Sequence, residues 1–94
     1  MTTQTICRKA TRIIEARGWI AGLSIGPNDE VCAGQAMAEA VGEGNLAAYF
    51  AARTEFTRAL TRGQDEEGLE KWNDAPGRTA EQVIEALRAF AAPR

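Results

Sequence analysis

The sequence predicts a mainly α-helical single domain over residues 1–94. It is a small bundle of about four helices, with one short β-hairpin between helices 1 and 2. Three observations carry this. Alanine, the strongest helix former, supplies 18 of the 94 residues. Apolar side chains recur at three- and four-residue spacing through most of the chain. Glycine stands where such runs stop, and Thr or Asn where they start.

The first helix is predicted over residues 3–17. Ile6, Ala10, Ile13 and Ile14 form one stripe, with Arg8, Arg12 and Glu15 opposite; Thr2 or Thr3 caps its start and Gly18 ends it. The next stretch, "WIAGLSIGPNDEVCA" (19–33), loses that period. Trp19, Ala21, Leu23 and Ile25 alternate, and "GPND" is a turn sequence, which predicts the hairpin; an irregular loop pinned by Trp19 is the alternative. A second helix spans 34–41 and breaks at "GEG" (42–44). Asn45 caps a third, which runs to about Arg62 and stops at Gly63. The acidic run "QDEEGLEK" adds a helical turn before Trp72. Thr79 opens the last helix, whose stripe is Val83, Ile84, Leu87 and Phe90.

Hydrophobic residues make up 45% of the chain but aromatics only 6%, so a thin core must rest on few large side chains. The expected set is Ile13, Ile14, Trp19, Leu46, Phe50, Phe56, Leu60, Trp72, Ile84, Leu87 and Phe90. Pairing with a second copy of the chain would help such a core. The formal charge is −2, which lacks the basic footprint of a nucleic-acid binder. No run is long enough to span a membrane, and charged residues interrupt any leader-like opening. Two cysteines without a histidine supply no metal set or cofactor loop, and reduced thiols in a cytoplasm are the expectation.

Four places are candidates for chemistry. Arg53 points into the middle of the apolar face predicted from Leu46, Tyr49, Phe50, Phe56 and Leu60. Either its stem packs while its head reaches water, or the guanidinium is buried against a carboxylate, for which Asp74 is the candidate. Cys32 stands just ahead of the second helix, where a thiol can be activated, but histidine is absent as a base. A small buried residue is the plainer reading. The stretch 34–52 loosely resembles a helix-turn-helix, but Glu43 occupies an apolar position and no basic residue precedes Arg53.

The richest stretch is "KWNDAPGRTAEQV" (71–83). As a turn it is ordinary: Asn73, Asp74, Pro76 and Gly77 favour turns, and Thr79 with Gln82 makes a capping box. As a site, Trp72, Asn73, Asp74, Arg78 and Thr79 form a hydrogen-bonding cluster. It is expected to join Trp19 through a shared apolar cluster and to bring Asp74 onto Arg53 or Arg78. An Asp74 far from both arginines would remove that polar centre.

Taken together, "ARGW" (16–19), "EVCAGQAMAEA" (30–40) and "KWNDAPGRTAEQVIEAL" (71–87) resemble a family of small proteins of unknown function from actinobacteria and their phages. Ala33 and Gln35 depart from the family's pattern, at the residues next to Cys32. The resemblance implies no activity. It implies a setting, an actinobacterial cytoplasm or a phage-encoded accessory protein acting there.

The functional expectation is a non-enzymatic protein–protein interaction module that binds a host protein or a second copy of itself. The alternative is a small ligand-binding protein or atypical enzyme built on Cys32, Asn73, Asp74 and Arg78. A concave pocket uniting those residues favours the alternative, and a flat exposed apolar patch favours the interaction module.

Overall fold

Helix punctuation in the sequence is realised almost residue for residue. The computed structural model describes residues 1–61 and 68–92. The Thr2 hydroxyl accepts from Thr5 N at 3.1 Å and starts α1, Thr3–Arg17. Gly18, at φ +93°, ends it by donating its N–H to Ile14 O at 2.7 Å. Helix α2 covers Ala33–Val41 and stops at Gly42, also at positive φ. Helix α3 covers Leu46–Thr61, with Asn45 O taking its first backbone bond, from Tyr49 N. Helix α4 is the short Gly68–Asn73, and α5 is Ala80–Ala91. Thr79 caps α5 in the predicted capping box: its hydroxyl accepts from Gln82 N, and Gln82 returns a carbonyl to Thr79 N. There are thus five helices among the described residues, one more than expected. The predicted stop at Gly63 and the start of the acidic run lie outside them.

The hairpin between helices 1 and 2 does not form. Among the described residues there is no strand, only two isolated bridges, Trp19 with Val31 and Ile25 with Val31. The fully buried Val31 is flanked on both sides instead of one strand facing another. Residues 21–25 are all exposed, so the alternating pattern read there has no apolar face to bury. The irregular loop pinned by Trp19 is what the chain adopts.

Helix α1 lies between α2 and α5 and supplies Ile6, Cys7, Ala10 and Ile14 to the core. Against them pack Ala33, Ala36, Met37 and Ala40 of α2, and Val83, Leu87 and Phe90 of α5. The alanines bury little area but let α1 and α2 approach closely. On the other side Phe56 of α3 meets Trp72 and Phe90 edge-on, with ring centroids at 6.5 and 5.8 Å. Trp19 and Trp72 both pack at the rim of this one core, as expected.

Two expected core residues are exposed: Leu46 is 70% and Phe50 57% accessible. The face that α3 buries runs through Tyr49, Ala52, Phe56 and Leu60. Phe50 lies about 100° around from Tyr49, and Leu46 is the first residue of the helix.

Gly68 sets how closely α4 sits on α3. A Cβ there would overlap Thr57 Cγ2, and Thr57 is fixed because its hydroxyl donates to Arg53 O at 2.7 Å. Gly68→Ala is expected to cost about 1–3 kcal/mol, as overpacking does, in a urea unfolding experiment.

Candidate functional site

The polar centre is organised by Asn73, the last residue of α4, which is only 1% exposed. Its Oδ1 accepts from Trp19 Nε1 at 2.7 Å and from Ala33 N at 3.0 Å. Its Nδ2 donates to Ile20 O at 3.2 Å and to Asp74 Oδ1 at 2.9 Å. All four bonds a carboxamide can make are therefore filled. One side chain ties the end of α4 to the loop after α1 and to the first turn of α2. Asp74 extends the reach by accepting from Gly22 N at 2.8 Å.

The loop's far end is held by Arg17. Its Nε and Nη2 donate to the carbonyl and carboxylate of Asp29 at 2.8 and 3.0 Å, and its Nη1 pairs with Glu39 of α2. The three stretches "ARGW", "EVCAGQAMAEA" and "KWNDAPGRTAEQVIEAL" thus converge on one loop. Trp19 and Asn73 are among the residues expected at a site, whereas Arg17 is not, and it is Arg17 that holds the turn at Asp29, where φ is +70°.

Asp74 meets neither arginine within ion-pair distance, so the expected Asp–Arg polar centre is not what forms. Arg53 pairs instead with Glu70, one turn earlier on α4, and also donates to Tyr49 Oη at 2.8 Å. The hydrogen bond with Glu70 raises the Arg53 pKa above its ordinary value and holds the Glu70 carboxyl below its own. Both readings of Arg53 hold in part, since the side chain is half-buried and carboxylate-paired. Glu70 belongs to the acidic run expected to add only a helical turn; it stands one turn before Asp74, whose N–H donates to Glu70 O at 2.8 Å just past the end of α4.

Arg78 turns away to the other side of the segment. Its guanidinium stacks over the Trp72 ring at 4.2 Å and its Nε donates to Trp72 O at 2.8 Å. With Thr79 engaged as a cap, these two residues fix the turn between α4 and α5. Cys32 caps α2, its Sγ accepting from Gln35 N at 3.3 Å. Cys7 is fully buried in α1, and burial, with the Glu55 charge adding, pushes its thiol up to about 12, which keeps it protonated.

A cleft of about 120 Å³ opens between the loop and α4. Gly22, Leu23 and Ser24 form one wall, Leu69, Glu70, Asn73 and Asp74 the other, and Cys32 with Gly34 the base. It unites Cys32, Asn73 and Asp74 but not Arg78. Among the described residues nothing donates to the second oxygen of Asp74, and no three His, Cys, Asp or Glu side chains group as metal ligands. No helix there is long and apolar enough to cross a membrane.

No curated protein and no solved structure matches the chain. One family model does, over residues 1–93, and its description is a family of unknown function. With the match covering the whole bundle, from the cap of α1 to the end of α5, the chain belongs to the family DUF6197.

Proposed function

We propose that the protein is a small ligand-binding module whose site is the cleft between the 22–24 loop and α4. The observation that carries this reading is the cleft itself, which gathers Cys32, Asn73 and Asp74 from three parts of the chain. Gly34 supports it. A Cβ there would meet Arg53 Nη1, Leu69 Cδ2 and Tyr49 Oη at 3.5–3.7 Å, which is ordinary contact. Packing therefore does not demand a glycine inside α2, where glycine costs about 0.5–1 kcal/mol relative to alanine. Its bare backbone is part of the cleft lining. The Asp74 and Glu70 carboxylates and the Ser24 hydroxyl favour a small ligand that donates hydrogen bonds.

The test is a fragment screen of small amines, amides and alcohols followed by backbone amide NMR. Binding at the cleft moves the signals of Gly22, Ser24, Gly34 and Glu70. Gly34→Ala is expected to raise stability by about 0.5–1 kcal/mol while weakening that binding, and Gly34→Leu to abolish it. Fragments that bind Gly34→Leu as well as wild type would sink the reading.

The exposed pair Leu46 and Phe50, one turn apart on α3, favours a second reading. In it the protein is a non-enzymatic interaction module, a phage-encoded accessory protein that binds a host protein or pairs with itself in an actinobacterial cytoplasm. The preference for Arg over Lys and the abundance of Ala agree with a high-GC source. A pull-down comparing wild type with Phe50→Ser separates the readings. A specific protein lost with Phe50→Ser and kept with Gly34→Leu supports the interaction module.

A further inference from the structure

The seam between α1 and α5 carries a groove of about 200 Å³ lined by Arg8, Thr11, Arg12, Glu15, Arg88 and Ala91. Arg8 and Arg12 are exposed, one turn apart on α1, and among the described residues neither has a hydrogen-bond or ion-pair partner. Like charges at this spacing repel and weaken the helix, and the groove's one carboxylate, Glu15, pairs with Arg88 and with neither of them. Arg88 reaches across from α5 to Glu15, with both side chains well exposed at 62% and 43%. Such a pair is held weakly and exchanges partners readily. The Thr11 hydroxyl is turned inward, donating to Cys7 O at 2.9 Å. The groove therefore presents three guanidinium groups and the Glu15 carboxylate. Three arginines against one carboxylate leave two uncompensated positive charges on a chain whose net charge is −2.

We propose that this groove is an anion site for a phosphate monoester carried by a small molecule. Two uncompensated charges match a dianion, which a phosphate monoester approaches near neutral pH, whereas a carboxylate neutralises one. The guanidinium fork fits phosphate oxygens in pairs, and helix-borne arginines on two elements can grip one phosphoryl group from both sides. Arg88 swings from Glu15 to the phosphate, and Glu15, left beside the anion, limits the affinity. The small Ala91 side chain in the lining leaves room for the carrier group.

The probe is phenyl phosphate, titrated into the full chain while the arginine Nε–Hε signals are followed by NMR. The expected result is saturable shifts at Arg8, Arg12 and Arg88, with affinity falling about tenfold in Arg12→Gln and rising in Glu15→Gln. Arg58→Gln on α3 removes the same charge elsewhere and is expected to leave affinity unchanged. An equal loss with Arg58→Gln would reduce the effect to net charge and overturn the site. Shifts that never saturate would do the same. Benzoate binding as tightly as phenyl phosphate overturns the dianion assignment. Binding only to phosphatidic acid vesicles overturns the small-molecule carrier.

Discussion

Asn73→Asp is expected to lower stability by about 3 kcal/mol near pH 7 and to recover most of that loss below about pH 4. The substitution keeps the shape, and Oδ1 can still accept from both Trp19 Nε1 and Ala33 N. What fails is donation. Nδ2 now serves Ile20 O and Asp74 Oδ1, both acceptors, and an ionised carboxylate gives a proton to neither. Burial and the Asp74 charge both disfavour the ionised form, so the new group's folded pKa lies above its unfolded value. The sign follows: the stability it contributes is intact below the unfolded pKa and is lost as pH rises through the folded pKa. Urea unfolding of variant and wild type at both pH values tests this, with the difference between them cancelling effects on other carboxylates. A deficit equal at both pH values would show that the Nδ2 donations carry no weight. The Trp19 indole N–H signal gives an independent readout, because its acceptor is the same side chain.

Phe56→Ala has the larger expected effect, about 3–5 kcal/mol, the usual cost of removing a buried aromatic ring. Phe56 is 1% exposed and is the ring on which Trp72 of α4 and Phe90 of α5 both stand edge-on. Removing it takes the middle contact from three helices at once. In a domain of this size the loss corresponds to a fall in Tm of roughly 15–30 °C. Calorimetry checks it, and a fall of only a few degrees would mean that α3, α4 and α5 close over the gap. Unlike Asn73→Asp, this loss is expected to be independent of pH, since no titratable group touches the ring in the contacts described. The two variants thus separate the packing side of the bundle from the polar hinge that shapes the cleft.

Much of the helical frame was legible because it is local. Thr2, Gly18, Gly42 and Thr79 act on groups within about four residues, and the bounds of α1, the end of α2 and the start of α5 follow from them; the cap that Cys32 supplies to α2 was not expected of a thiol. The stripe of α5 was legible for the same reason. The face of α3 was not. Phe50 and Tyr49 are adjacent in the chain, and which of them turns inward depends on where the neighbouring helices lie.

The site divides along the same line. Trp19, Cys32, Asn73 and Asp74 stood out individually by residue type, but Asn73 meets Trp19 and Ala33 across 54 and 40 positions. Glu70 of α4 and Asp74, the residue that follows the helix, lie one turn apart, so either could have faced Arg53. The axial offset of α4 against α3 brings Glu70 to the arginine and leaves Asp74 to Gly22. By itself the sequence determined where α1, α3 and α5 begin and where α1 and α2 end, since caps and periodicity are short-range forces. Only the tertiary structure decided which polar groups meet, because burial leaves each of them one set of partners and packing geometry chooses it.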